Sequence, residues 1–332
     1  MTQTSVSASA AEPPLTVLGE VRTGLVSHHG TLTREQTERL LAPLALGEPV
    51  LSWERPIAHS SSAATVTGLD CQLALSADGA RRVRAVGTAV SHAAITGGTI
   101  LQCSTLATVR PAAVQRRLDW SHYTARPGVL ETISAQPPSP QQLEAGFLAE
   151  DVPREGCADF GSICDRLARK VQNSQLLEGA APLLFQWTRL RWAATVRQGA
   201  SGGPAVAKLQ LGDELGRTLS LAVNASSVTE VAEFCGDLAL HDWILTTVIR
   251  RMERLTADGS ELDVREISPV VSRLLHLWMP AARVNPELSE LWTEFEQKPG
   301  FTRQWNSLVS RMRDQISLHT ALQRGVLINH DS

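Results

Sequence analysis

An aspartate and a histidine interrupt a stretch of apolar residues near the middle of the C-terminal half. Asp237 precedes His241 by four residues, which places both side chains on one face of a helix. A carboxylate at that spacing can accept the proton of one imidazole nitrogen and leave the other nitrogen as a base or ligand. The alternative is a core histidine whose hydrogen bonds are satisfied internally. The second interpretation is favoured, because no further residue at triad or ligand spacing accompanies the pair.

A second group of reactive side chains lies in two predicted strands near the N terminus. The stretch SWERPIAHS supplies Glu54, Arg55 and His59, and the stretch TGLDC supplies Asp70 and Cys71. Neighbouring strands could bring these side chains into one pocket for small-molecule binding or catalysis. The alternative is an ordinary strand surface, on which the charged residues alternate with buried ones.

Aromatic and basic side chains are concentrated in the stretch WSHYTARPG. It contains Trp120, His122, Tyr123 and Arg126, and Tyr123 is the only tyrosine of the chain. Aromatic residues and arginine in a loop are typical of a recognition surface. A loop anchored to the core through its rings is the alternative, and the sequence does not decide between the two.

None of the glycine-rich or histidine-rich stretches has the spacing of a cofactor or metal site. The run Thr96-Gly97-Gly98-Thr99 lacks the lysine of a phosphate loop, and we predict that it closes a hairpin. The pair His28-His29 has no further ligand at metal spacing. We therefore expect neither a cofactor nor a metal.

The overall composition predicts a packed protein without a strong charge bias. Of the 332 residues, 43% are hydrophobic and 20% charged, which is the globular range. The net charge of −3 gives no general attraction to nucleic acid or to an anionic membrane. Nucleic acid is thus a disfavoured partner, and it would depend on five arginines: Arg81, Arg82, Arg84, Arg116 and Arg117.

The cysteine usage and hydropathy predict a cytoplasmic location. The five cysteines are an odd number with no CxxC pair, which suits a reducing compartment. No window approaches the roughly 18 consecutive apolar residues of a membrane span. Residues 1–14 have the composition of a disordered tail rather than of a secretory signal.

The spacing of apolar residues predicts an α+β fold. Residues 15–135 alternate mostly at period two, which indicates an antiparallel β-rich domain with one inserted helix capped by Thr33 and Gln36. Residues 136–225 are predicted to contain an exposed linker at QPPSPQQ, a helix and a three-stranded antiparallel meander. Residues 226–332 are predicted to form a C-terminal helical layer.

Capping signals predict where individual helices begin. One helix is predicted from Phe160 to Leu177, and Ser227 with Glu230 makes a capping box for a long one. Serine or asparagine ahead of proline predicts two further helix starts, at Ser268-Pro269 and at Asn285-Pro286. The arginines near the end of the long helix, Arg250, Arg251 and Arg254, are interpreted as a solvated helix end.

Several stretches together resemble an uncharacterised family of actinobacterial proteins. The similarity extends from about Leu15 to Ile316 and includes VLGEVRTGLV, SWERPIAH, TGLDCQL, RAVGTAV, WSHYTARPGV, RLRWAA, FCGDLALHDWILTT, LLHLWMP and KPGFTRQW. The resemblance implies a gene neighbourhood that encodes a variant P-loop protein and a methyltransferase-like protein. It implies no activity and no catalytic residues.

The functional expectation is a non-enzymatic interaction or scaffold subunit of a multi-protein system. Its partner would be a protein, with the variant P-loop protein as a candidate, and its contact surface would be the WSHYTARPG stretch or the helical layer. The alternative is a small-molecule-binding protein or enzyme with a site near Glu54, His59 and Asp70, joined by the Asp237–His241 pair. The oligomeric state and the ligand are left open by the sequence.

Overall fold

The computed structural model describes residues 15–44, 47–149, 155–177, 186–197, 205–212, 215–224, 227–257 and 274–330. The predicted tail at 1–14 and the predicted helix start at Ser268-Pro269 lie outside these ranges. The described residues have an α+β fold, as the alternation and capping patterns predict.

Ten strands of the described residues form one mixed sheet. The strands are β1 Leu15–Leu25, β2 Leu51–Trp53, β3 His59–Ser61, β4 Thr65–Ala74, β5 Arg82–Thr96, β6 Ile100–Pro111, β7 Val129–Ile133, β8 Thr188–Arg197, β9 Val206–Leu211 and β10 Gly216–Asn224. Their order is β2-β3-β5-β7-β6-β1-β8-β10-β9, with β4 beside β5. Because β8 pairs with β1, the N-terminal and middle β regions share this sheet.

Helices cover both faces of the sheet. They are α1 Arg34–Leu41, α2 Trp120–Thr124, α3 Pro140–Leu148, α4 Phe160–Gln172, α5 Val228–Ala257, α6 Pro286–Gln297 and α7 Phe301–His330, and a 3-10 turn Ala42–Leu44 follows α1. Apolar residues of α5, α6 and α7 pack on one face, around the buried rings of Trp192 and Trp243. Residues of α1, α3 and α4 pack on the other face. The predicted C-terminal helical layer is therefore present.

The central strand β1 shows why the sheet is covered on both sides. Its side chains alternate between the two faces, with Val17 and Val21 in the core under α5 and Leu18 in the core under α3. All three are at most 1% exposed. A strand buried on both faces must carry apolar residues at successive positions, which weakens the period-two signal.

The predicted antiparallel meander is wrong in its pairing. Three strands lie where they were expected, but β10 inserts between β8 and β9 and pairs with β8 in parallel. Burial explains the order, because Leu219 and Leu221 of β10 are fully buried whereas Val206 and Leu211 of β9 are more than half exposed. The more apolar strand takes the inner position, and β9 becomes an edge.

Two segments interpreted as loops contain helices. Within QPPSPQQ, Ser139 accepts a hydrogen bond from the Gln142 amide and the Gln142 side chain accepts one from the Ser139 amide, so a capping box begins α3. The first five residues of WSHYTARPG form the short helix α2 rather than a loop. The helix predicted to reach Leu177 ends at Gln172.

Candidate functional site

Near the C-terminal end of β4, the outer edge of the strand is hydrogen-bonded to residues 156–158. Gln72 donates its amide to the Gly156 carbonyl at 2.8 Å and accepts from the Ala158 amide at 3.0 Å, so its backbone groups face away from β5. In an antiparallel strand, the amide and carbonyl of successive residues point alternately towards one neighbouring strand and away from it. Every second residue of β4 before Gln72 therefore also directs its amide and carbonyl outward.

These outward residues are Val66, Gly68 and Asp70. None of their outward backbone groups has a hydrogen-bond partner among the described residues. Val66 is 47% exposed, and Asp70 lies on the solvent side of the strand. Among the described residues, the edge is thus an open row of donors and acceptors over about half of the strand.

The Trp120 ring at the start of α2 lies beside this row. Trp120 is 39% exposed, and its ring is in van der Waals reach of Gly68. The Arg117 guanidinium stacks over the ring at 5.1 Å and also pairs with Asp70 at 3.2 Å. Arg84 binds the same carboxylate through two hydrogen bonds and holds the pKa of Asp70 below its usual value.

We define the β4–α2 surface by six residues: Val66, Gly68, Asp70, Arg84, Arg117 and Trp120. Its underside is fixed by Tyr123, which is 2% exposed and accepts a hydrogen bond from the Leu118 amide through its hydroxyl. The stretch WSHYTARPG therefore contains one buried and one exposed aromatic ring. Tyr123 is the core anchor and Trp120 is the exposed ring.

His122 and Arg126, the other two candidates in this stretch, are engaged with one buried carboxylate. Glu131 of β7 is 4% exposed, and Nε2 of His122 lies 3.1 Å from it. The Arg126 guanidinium contacts both Glu131 and His122. These bonds fasten α2 to the sheet and orient the imidazole of His122.

The contacts of the described residues do not bring Glu54, His59 and Asp70 together into the predicted N-terminal pocket. Glu54 is exposed and pairs with Arg34, whereas Asp70 belongs to the β4–α2 surface. Arg55 is also exposed and precedes Pro56 through a cis peptide bond. Glu54, His59 and Asp70 share no bonding partner.

His59 lies instead in a buried network that reaches the C-terminal layer. Its Nδ1 lies 2.9 Å from the Thr96 hydroxyl and accepts a hydrogen bond from Arg283. Burial, with Arg283 and His92 nearby, lowers the pKa of His59 to about 3. Arg283 extends to Asp237 at 3.8 Å, so two of the predicted candidate groups are connected through a residue that the sequence did not indicate.

The Asp237–His241 pair holds a backbone segment in place. Nδ1 of His241 lies 2.8 Å from the Asp237 carbonyl and donates to it, and Nε2 accepts from the Met279 amide at 3.2 Å. Oδ2 of Asp237 accepts from the amide of Ala281, whose φ is +61°. Both ring nitrogens are occupied by backbone groups, and burial lowers the pKa of His241. The imidazole is therefore a neutral connector between α5 and residues 278–281.

A cleft of about 540 Å³ opens on another side of α5. Six residues of α5 line it at helical spacing: Asp242, Leu245, Thr246, Ile249, Arg250 and Glu253. The opposite side is formed by Leu211 of β9, Arg217 of β10 and the segment with Pro299 and Phe301. Its volume is in the range of small-molecule sites.

A buried ion pair forms the floor of this cleft. Arg217 donates through Nε to Oδ1 of Asp242 at 3.1 Å and through Nη2 to the Thr246 hydroxyl at 3.2 Å. Their side chains are about a tenth exposed. Burial raises the pKa of Asp242, although Arg217 opposes the shift. Such a pair is rarely favourable for stability alone, which makes the floor a candidate for function.

Sequence reasoning missed this cleft. Arg217 and Asp242 are far apart along the chain, and Arg250, interpreted as part of a solvated helix end, lines the cleft and contacts Gln186. The available signal was a second stripe on α5, in which polar residues recur at Asp242, Thr246 and Arg250 beside the apolar stripe.

Comparisons of the chain with protein-family models, curated proteins and solved structures find no match. Within the described ranges, no group of three or more histidine, cysteine or acidic side chains could hold a metal ion. Among the same residues, no helix is both long and apolar enough to cross a membrane.

Proposed function

We propose that this protein is a non-enzymatic interaction subunit of a multi-protein actinobacterial system, located in the cytoplasm. The β4–α2 surface is its docking site, and the partner adds an extended segment to the outer edge of β4. The observation that carries the proposal is the row of outward backbone groups at Val66, Gly68 and Asp70, which have no hydrogen-bond partner among the residues that the structure describes.

An open strand edge is a template for another strand, and proteins that do not use such an edge usually cover or shorten it. The edges formed by β2 and β9 are three and six residues long. The strand β4 has ten residues and, within the described part of the chain, is bonded outward only around Gln72. An added segment gains main-chain hydrogen bonds along β4, and pockets beside the edge select its side chains. Val66 and Trp120 supply the apolar contacts for that selection.

The charges around the edge favour an acidic partner segment. Arg84 and Arg117 share the single carboxylate of Asp70, so the β4–α2 surface carries a net positive charge. Three further arginines near it, Arg81, Arg82 and Arg116, are exposed. Carboxylates on an incoming strand would meet guanidinium groups and would associate faster at low salt.

The interaction role is also supported by the bonds of the reactive side chains. His122 is bound to Glu131, Asp70 to two arginines, and His241 to two backbone groups. The five free thiols agree with a reducing cytoplasm. The resemblance to actinobacterial proteins makes the variant P-loop protein of the gene neighbourhood the first candidate partner.

The test is co-expression with the neighbouring gene products, affinity capture of this chain, and light scattering of the eluate. Val66→Pro removes one outward amide, and proline is tolerated on edge strands where its nitrogen faces solvent. Val66→Thr, which keeps the amide, is the matched control. We expect a stoichiometric complex with wild type and Val66→Thr, weakened at least tenfold by Val66→Pro. A chain that elutes alone, or a complex indifferent to Val66→Pro, contradicts the proposal.

A further inference from the structure

The floor of the cleft on α5 presents a hydrogen-bond acceptor and a donor that no described residue uses. Asp242 gives Oδ1 to Arg217, while its second oxygen, Oδ2, accepts no hydrogen bond from any described residue. That oxygen is not among the side-chain atoms that are both enclosed and unpaired, so it is open to the cleft. The cleft therefore has a fixed acceptor.

The donor lies one helical turn further along α5. The Thr246 hydroxyl oxygen accepts a hydrogen bond from Arg217, and the hydroxyl proton is given to no described acceptor. Residues four apart on a helix are neighbours, so the free proton of Thr246 and the free oxygen of Asp242 lie side by side. Arg217 bonds to both residues and holds them in this arrangement.

We infer that the cleft binds a neutral, ring-bearing small molecule through an amide edge, in which an N–H and a C=O stand next to each other. The N–H donates to Asp242 and the C=O accepts from Thr246. A carboxamide or a lactam-type ring presents this edge. The charges of Arg217 and Asp242 compensate each other, so the floor favours a neutral polar group over an ion.

The walls of the cleft suit the remainder of such a molecule. Among the lining residues, Ile249 of α5, Leu211 of β9 and Pro299 offer accessible apolar area to a flat ring. Leu245 and Phe301 are at most 4% exposed, which indicates that packing fixes this part of the wall. The other lining residues are polar, so the apolar contact is confined to this part of the cleft.

Titration of the full-length chain with nicotinamide and with uracil, followed by saturation-transfer NMR, tests the inference. Both probes carry the amide edge, and pyridine is the control probe that lacks it. Saturable binding of nicotinamide or uracil, with pyridine at least tenfold weaker, is expected. Equal binding of pyridine, or no saturation by either amide probe up to its solubility, overturns the inference.

Substitution of the donor tests the same site on the protein side. Thr246→Val removes the hydroxyl and keeps the shape, and it should weaken amide-probe binding roughly fivefold, as expected for one hydrogen bond. Thr247→Val is the matched control, because the neighbouring threonine does not line the cleft. Unchanged binding in Thr246→Val, or an equal loss in Thr247→Val, overturns the assignment. Asp242→Asn, which turns the free acceptor into a donor, should abolish amide selectivity while Oδ1 still accepts from Arg217.

Discussion

The ring of Trp120 lies so close to Gly68 that a Cβ atom at position 68 would be 3.1 Å from Cζ3 of the indole. Glycine weakens a strand, and its presence in β4 therefore marks a close approach. The approach brings an exposed aromatic ring against an open strand edge and keeps it there through Arg117. The β4–α2 surface depends on this contact between two residues that are distant in sequence.

A side chain at position 68 should displace the ring. Gly68→Val places three carbon atoms where the indole lies, and we expect partner binding to weaken at least tenfold in the capture assay. Since β4 is an edge strand and valine favours strands, the free energy of unfolding should change by less than about 1 kcal/mol. Thr67→Val, on the opposite side of the same strand, is the control. Full partner affinity in Gly68→Val would show that Trp120 is not part of the docking site.

Removing the imidazole of His241 should destabilise the fold. His241→Ala leaves the amide of Met279 without its acceptor and opens a cavity between Trp278 and Trp292. The expected loss in the free energy of unfolding is about 3 kcal/mol, measured by urea denaturation. His29→Ala, at an exposed position, should change the same quantity by less than about 0.5 kcal/mol. Wild-type stability of His241→Ala would contradict the connector role.

The buried histidines should make stability depend on pH. Burial lowers the pKa of His59 from its ordinary value of 6.5 to about 3, so between these pH values the unfolded chain binds a proton there that the folded chain does not. The stability contribution is complete above pH 6.5 and decreases as the pH falls towards 3. Between about pH 7 and pH 5.5 His59 should cost about 1 kcal/mol of stability. Burial also lowers the pKa values of His92 and His241, which act in the same direction.

His59→Gln isolates one part of this dependence. The variant should lose about 1 kcal/mol less than wild type between the two pH values in urea denaturation. Ser60→Ala, at the next position of β3, removes a side-chain hydrogen bond without removing a titrating group, and it should keep the wild-type pH dependence. If His59→Gln and wild type lose the same free energy, His59 is not held neutral in the fold.

Local sequence signals predicted the parts of the fold that local physics decides. Thr33 with Gln36 forms the predicted capping box, and the Glu230 amide donates to Ser227 as expected. The hairpin at Gly97-Gly98 joins β5 to β6. In each case the two interacting residues lie within a few positions of each other, so the pattern contains the whole interaction.

Interactions between distant segments could not be predicted in this way. The alternation of apolar residues at every second position identifies β8, β9 and β10, but it does not show which of the three strands lies between the other two. The relative burial of the strands decides that order. Arg283 joins His59 to Asp237, and Arg217 joins β10 to Asp242, through pairings that only the packed layers create. The helical start at Ser139 is a different case, because its capping box was present in the sequence within a proline-rich stretch.

Hydrogen–deuterium exchange of individual β4 amides, in the free chain and in the captured complex, tests strand addition most directly. The outward amides of Val66, Gly68 and Asp70 should exchange quickly in the free chain and become strongly protected in the complex. Those of Thr67 and Leu69 face β5 and should change little. This alternating protection is the predicted result, and a complex that leaves the three outward amides as exchangeable as in the free chain would contradict the proposed docking site.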